Sequence, residues 1–281
     1  MEKEKSPGFV SGFIFKIIAI IAMTCDHVGV FTYGMPGLET LTTILRSIGR
    51  IALPMFIFLI AEGVRYTKNE KKYLLRLGIL ALAFLVGQLF IYFVDKSNAM
   101  TSPIVDLFTV AITLMLLKRK DKWSFFAVIP ISIVILNFVV FCLENNSNFN
   151  GSFFPFFLRQ DYPLFSLLLG LAFYYSKAIG ISILKLNQNT EALTATSYVQ
   201  VAQNILSAIF VVVLSITFYV SLVIFNISYS VIDVQFYAAF AALPILFYSG
   251  KRGYNKKWFQ YGCYIYVPLH LVIIFLIFIL L

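Results

Sequence analysis

Long apolar runs alternate along the chain with short, base-rich polar breaks. A helix that crosses the hydrocarbon of a bilayer needs about 20 mostly apolar residues. Nine segments approach or reach that length, near 13–33, 42–61, 73–94, 103–117, 124–142, 161–176, 204–225, 235–249 and 262–281. The fourth, sixth and eighth are short and are expected to be tilted or partly re-entrant. The stretch 143–160 opens Glu144-Asn-Asn-Ser-Asn-Phe-Asn-Gly151 and reads as a long outer loop or a flexible external lid. The stretch 186–200 reads as a linker on the opposite side. No internal repeat of useful period is visible. The pattern predicts an all-α, polytopic transmembrane helical bundle of about nine spans, forming a single domain over residues 1–281.

Composition agrees with that pattern. Apolar residues make up 60% of the chain and charged residues 12%, with a mean hydropathy of +0.88. A soluble domain carries about half apolar and about a quarter charged residues, so a soluble globule, a disordered chain and a secreted disulfide scaffold are excluded. The net charge is +9, from 22 Lys plus Arg against 13 Asp plus Glu. Eighteen of the 22 basic residues fall on the even-numbered side of the predicted spans and two, Lys96 and Arg159, on the other. The remaining two, Arg46 and Arg50, lie inside a span. This is the positive-inside bias of cytoplasmic loops, not a nucleic-acid footprint, and it puts the N-terminus in the cytoplasm and the C-terminus outside. The expected location is a bacterial-type inner or plasma membrane. The first span carries Asp26 and His27 and no small-residue cleavage pattern, so a retained helix is expected there. Cys25, Cys142 and Cys263 have no metal-ligand spacing and read as small core residues. No metal site is expected.

Ionisable groups inside spans are costly and face a cavity or a partner. Asp26-His27 form one such cluster. Arg46 and Arg50, four residues apart on one helix face, form a second, and two like charges on one buried face need an anion beside them. Asp26 can be that anion, as can a bound phosphate or carboxylate. Counting from Gly37 in the connecting turn, His27 lies ten residues before, Arg46 nine after and Arg50 thirteen after. At 1.5 Å per residue the three fall within about 6 Å of one another in depth, so the four side chains can meet. Pro54 cannot donate to the carbonyl of Arg50, and a kink is expected there. A third, cytoplasmic set is Glu62, Arg65, Arg76, Lys251 and Arg252, in which Gly250-Lys-Arg-Gly253 places two cations between two glycines, a pattern that can wrap a phosphate. The fourth candidate is His270, near mid-depth in the last span after Pro268.

These residues resemble the TraX family of membrane acetyltransferases, which includes the F-pilin N-acetylase of conjugation systems. The matching stretches are Lys16-Ile-Ile-Ala, Met23-Thr-Cys-Asp26-His27-Val-Gly29, Arg46-Ser-Ile-Gly-Arg50-Ile-Ala-Leu-Pro54-Met-Phe56, Glu62-Gly63 with Thr67, Lys72-Tyr73-Leu-Leu-Arg76-Leu, Tyr248-Ser-Gly250-Lys-Arg-Gly253 and Pro268-Leu-His270. They run in order over nearly the whole chain. Ser249 and Val267 depart from the family's usual Asn and aromatic residue, and residues 118–235 carry few motifs. The first two spans are similar, more distantly, to other integral-membrane acyltransferases. The resemblance implies acetyl-CoA as cytoplasmic cosubstrate and an amine or hydroxyl acceptor, such as a pilin-like peptide N-terminus or a surface glycan.

The chemistry suits the residues. Acyl transfer from a thioester needs a base, and a neutral imidazole serves well. His27 is the expected base, with Asp26 orienting its ring, Arg46 or Arg50 donating to the oxyanion, and His270 shuttling a proton or holding a tautomer. Arg65, Arg76, Lys251 and Arg252 are expected to take the CoA phosphates, and Glu62 to pair with one of them or position substrate. Two other classes are open. A proton-coupled transporter or flippase would use the same Asp, His and Arg as a relay, although paired inverted repeats are absent. A structural subunit of a secretion or conjugation complex would not need the cluster.

Overall fold

A computed structural model describes residues 8–94, 102–144, 159–186, 196–224 and 232–280. Most of the expected lid at 143–160 and of the linker at 186–200 lies outside these residues, as do Lys3, Lys5 and Lys96. In chain order the helices are α1 (Gly12–Phe31), α2 (Glu39–Gly49), α3 (Ala52–Tyr66), α4 (Glu70–Val94), α5 (Pro103–Lys118), a 3-10 turn (Lys122–Ala127) leading into α6 (Val128–Glu144), and α7 (Pro163–Leu186). They continue as α8 (Thr196–Ile224), α9 (Ile232–Gln235), a 3-10 turn (Phe236–Ala241), α10 (Ala242–Leu246) and α11 (Lys257–Leu280). The architecture is all-helical and polytopic, as the apolar pattern predicts.

Seven helical segments are long and apolar enough to cross a membrane, with α2 and α3 counted together over Glu39–Tyr66. The two remaining expected spans are shorter than a full crossing. α5 has 16 residues, and the segment at 235–249 is a broken element whose apolar helical part is Phe236–Leu246. The sixth span is not short: the helix continues past the apolar run to Leu186, carrying Lys177, whose Nζ lies 2.8 Å from the Tyr66 hydroxyl. The expected kink is a break between α2 and α3 at Arg50–Ile51. Pro54 sits in the first turn of α3, where its missing N–H is one of those a helix leaves unpaired anyway. None of the three cysteines is buried, and Cys142 is exposed, so they are not core residues as expected.

Side-chain contacts fix the directions of the helices. Arg50 meets Tyr162 at the start of α7, whereas Arg65 meets Phe173 and Tyr174 further along it, so α3 and α7 run the same way. α5 is parallel to both: Asp106 accepts from the Asp161 and Tyr162 amides, and Lys118 reaches the Val64 carbonyl at 3.0 Å and Glu70 at 3.3 Å. The broken element also follows α3, from Gln235 beside Arg50 to Tyr248 beside Glu62. α1 and α11 run the opposite way, with Phe13 on Phe259, Thr24 on Tyr266 and His27 on His270. Lipid tails supply no hydrophobic drive between helices, so close packing must hold the bundle. Its centre is an aromatic cluster in which Phe58 sits 5.3 Å from Phe15, 5.4 Å from Phe173 and 5.2 Å from Tyr248, ring to ring. α4 turns Leu75, Ile79, Leu82, Val86 and Phe90 outward, as a lipid-facing helix should.

Candidate functional site

Asp26 and His27 are neighbours on α1 and therefore face different partners. Asp26 faces α2. α1 and α2 come together at two glycines: a Cβ on Gly29 would stand 2.9 Å from the Arg46 side chain, and one on Gly49 would collide with Asp26. That closeness puts the carboxylate between both arginines. Arg46 Nη1 donates to Asp26 Oδ2 at 2.9 Å, and Arg50 Nη2 pairs with Oδ1. The depth count from sequence is met, and Asp26 is the anion that the Arg46–Arg50 pair needs. Arg50 is buried. It also donates from Nη1 to Tyr162 Oη at 2.7 Å and to Gln235 Oε1 at 3.4 Å, and from Nε to the Arg46 carbonyl at 3.3 Å.

His27 faces α11. Its Nδ1 lies 2.8 Å from His270 Nε2, and His270 Nδ1 lies 2.9 Å from the Tyr266 carbonyl. A carbonyl oxygen only accepts, so His270 Nδ1 carries a hydrogen. In the neutral ring Nε2 is then an acceptor, and His27 Nδ1 must be the donor. The chain of bonds leaves the unshared electron pair of neutral His27 on Nε2. The Tyr266 ring stacks on His270 at 5.2 Å, and its hydroxyl bonds Thr24 Oγ1 at 2.8 Å, so α11 is locked in rotation against α1. The ring of His27 is thus oriented by His270, not by Asp26, whose oxygens are engaged by guanidiniums. Arg46 and Arg50 remain near enough for their charges to act on His27.

The cytoplasmic set does not gather into one place. Glu62 and Arg65 pair with each other; Glu62 also accepts from Gln203 Nε2 at 2.8 Å and from Tyr248. Arg65 donates to the carbonyls of Phe173 at 2.8 Å and Tyr174 at 2.7 Å. Arg76 lies 5.4 Å over the Tyr261 ring, linking α4 to α11. Lys251 and Arg252 are exposed in a turn whose glycines, Gly250 and Gly253, take φ values of +69° and +66°. Among the described residues no three His, Cys, Asp or Glu side chains converge as metal ligands would.

Sequence reasoning missed Tyr162, Gln235, Asp106 and Tyr266. Asp106 is buried in α5 and accepts the Asp161 and Tyr162 amides at 3.0 and 3.2 Å, which pins the phenol that Arg50 needs. A carboxylate at the start of an apolar run was the available signal for it; nothing local marks a tyrosine or glutamine as an arginine partner.

Fold and site define a multi-pass membrane protein with a titratable Asp-Arg-Arg and His-His assembly inside the bundle. The family model described as TraX protein matches residues 11–278, and the chain belongs to that family. It is 32% identical over 136 residues to the probable fimbrial assembly protein FimC, serogroup H1, of Dichelobacter nodosus, covering 45% of this chain and 52% of that one. It is 33% identical over 144 residues to the uncharacterized protein RP591 of Rickettsia prowazekii (strain Madrid E), covering 45% of this chain and 54% of that one. The chain thus spans about half the length of the curated relatives it matches. No solved structure matches.

Proposed function

We propose that the protein is an integral-membrane acetyltransferase of a bacterial-type cell membrane, with acetyl-CoA as cosubstrate and His27 as general base. The observation that carries this reading is the bond sequence Tyr266 carbonyl, His270, His27, which leaves His27 Nε2 as a lone-pair acceptor next to two arginines. The acceptor's amine or hydroxyl attacks the thioester carbonyl carbon and its proton passes to His27 Nε2. The C–S bond breaks, and the thiolate leaves and takes that proton. His27, briefly cationic, is stabilised because its Nδ1–H already points at His270 Nε2. Arg46, or the remaining N–H of Arg50, supports the oxyanion; such donors act most strongly where water is excluded. The printed name of the Dichelobacter relative, a probable fimbrial assembly protein, supports an exported pilin-like peptide as acceptor; a surface glycan hydroxyl suits the same chemistry.

The test is transfer of isotopically labelled acetyl from acetyl-CoA to a peptide amine by the purified protein in nanodiscs. Wild type should yield peptide heavier by one acetyl group, and His27→Gln should not. Proton flux across proteoliposomes without acetyl transfer would replace this reading with a carrier.

A further inference from the structure

The cations on the cytoplasmic side differ in what holds them. Arg65, Lys118, Arg119 and Lys177 each have an oxygen partner: Glu62, Glu70 with the Val64 carbonyl, Asp121, and the Tyr66 hydroxyl. At the starts of α4 and α11 the partners are of another kind. Arg76 lies over the Tyr261 ring at 5.4 Å, and among the described residues neither Lys72 nor Lys257 has a carboxylate partner. No Asp or Glu follows Asp233 in the chain, and Glu70, in the first turn of α4, is engaged by Lys118. The positive-inside bias accounts for the side on which these cations lie, not for this difference between them.

Helix periodicity sets the starts of α4 and α11 as two facing columns. Lys72 stands one turn before Arg76 on α4, and Lys257 one turn before Tyr261 on α11, so the two lysines flank the cytoplasmic edge of the Arg76–Tyr261 contact. Both are exposed. Both helix starts are fixed: the Lys72 N–H donates to Asn69 Oδ1 at 2.9 Å, the Gln260 N–H to the Lys256 carbonyl at 3.2 Å, and Trp258 Nε1 to the Tyr254 hydroxyl at 3.0 Å. One turn deeper the columns become apolar. Ile79 follows Arg76 and Ile265 follows Tyr261, and both are exposed, so this face of the junction is open to lipid. Lysine, then arginine with tyrosine, then isoleucine is the order in which a phospholipid presents its phosphate, its glycerol region and its acyl chains.

We infer that an anionic phospholipid of the cytoplasmic leaflet binds at the junction of α4 and α11, with its phosphate between Lys72 and Lys257 and its acyl chains along Ile79 and Ile265. Exposed lysines are stable in water without an anion. What favours the lipid is that two unpaired ammonium groups flank an apolar bed at headgroup depth. A zwitterionic lipid brings its own cation to the same place and gains less. The occupied site ties α4 to the helix that carries His270, and it stands whether or not the protein is an acetyltransferase.

The test is native mass spectrometry of the detergent-purified full chain with phosphatidylglycerol or phosphatidylcholine of the same acyl chains. Wild type should retain phosphatidylglycerol preferentially. Lys72→Gln with Lys257→Gln should lower that retention about thirtyfold, the combined effect of two cations near an anionic headgroup, and leave phosphatidylcholine retention unchanged. Lys72→Arg with Lys257→Arg should restore it. Lys120→Gln with Lys122→Gln removes the same charge from the exposed connection between α5 and α6 and should bind as wild type does. Phosphatidylglycerol should also raise the melting temperature of wild type and not that of the Lys72, Lys257 glutamine pair, since a ligand stabilises the fold it binds. Equal losses in the two glutamine pairs would reduce the effect to net charge and overturn the site, as would equal retention of both lipids by wild type. Displacement of phosphatidylglycerol by acetyl-CoA would give the lysines to a soluble phosphate ligand and overturn the lipid assignment.

Discussion

The two ends of α3 each have an arginine paired with a carboxylate, Arg50 buried and Arg65 partly buried, and the two are held in different ways. At the cytoplasmic end, Arg65 spends its contacts on Glu62, on two main-chain carbonyls of α7 and on the face of Tyr174 at 5.8 Å. Those carbonyls cannot turn without unwinding α7. At the outer end, Arg50 has one main-chain partner and otherwise the side chains of Asp26, Tyr162 and Gln235, brought from three separate segments. Side chains can reorient as charge develops, and a network of them responds as a unit. Arg65 is a latch between α3 and α7, while Arg50 is a hub next to the residue that precedes His27. Burial and pairing alone do not separate a structural ion pair from one suited to chemistry; the nature of the partners does.

The largest expected effect is at His27. General-base loss typically lowers rate by about 10²–10⁴, so His27→Gln, which keeps volume and one hydrogen bond, should lose that much single-turnover acetylation while melting with wild type. Activity within about threefold of wild type would move the base to another residue. The arginine contrast comes next. Arg50→Lys cannot span three side-chain partners and should lower acetylation per folded molecule by about 100-fold, roughly 2.7 kcal/mol of barrier. Arg65→Lys keeps the charge beside Glu62 but cannot also hold both α7 carbonyls and the Tyr174 face, so it should instead lower thermal stability by about 1–3 kcal/mol, the loss of one or two hydrogen bonds from a charged donor, with activity per folded molecule nearly unchanged. Equal activity losses in the two would erase the latch-and-hub distinction.

Apolar run length made the helical class legible, and the alternation of basic loops matched the helix directions that side-chain contacts fix. Helix ends were less legible where polar residues continue a helix, as at Lys177, or where a backbone break hides inside one apolar run, as at Arg50–Ile51. Within the site, residues whose charge is conspicuous in a span were readable: Asp26, Arg46 and Arg50, with His27 and His270. The Asp26–Arg50 meeting followed from a turn and a rise per residue. The His27–His270 contact did not, because no local rule sets the rotation of the last helix against the first across 243 residues. Tyr162 and Gln235 carry no charge and reach Arg50 from segments far along the chain. The cytoplasmic residues looked like one set because they share a side of the membrane. In space they divide among a latch, a ring contact at Tyr261 and an exposed turn.

The histidine pair offers a finer test than either arginine. If His270 matters because its Nε2 accepts from His27 Nδ1, then His270→Gln, whose amide oxygen also accepts, should retain much of the activity. His270→Phe removes the acceptor, frees His27 to hold its proton on either nitrogen, and should cost about tenfold more, near 1.4 kcal/mol. Equal activity in the two variants would reject the tautomer argument while leaving His27 as base.

Tyr162→Phe should have the smallest effect and discriminate most finely. It removes a single hydrogen bond to Arg50, typically worth about 1 kcal/mol and somewhat more with a charged partner. The ring stays packed near Phe165 and Phe218, with centroids at 6.5 and 6.3 Å, so folding should be little disturbed. Acetylation should fall by about five- to tenfold, and the loss should vanish in an Arg50→Lys background if the phenol acts only through that guanidinium. A double-mutant cycle measures this directly. Full additivity of the two losses would mean that Tyr162 works by another route, and Arg50 would then be a hub for Asp26 and Gln235 alone.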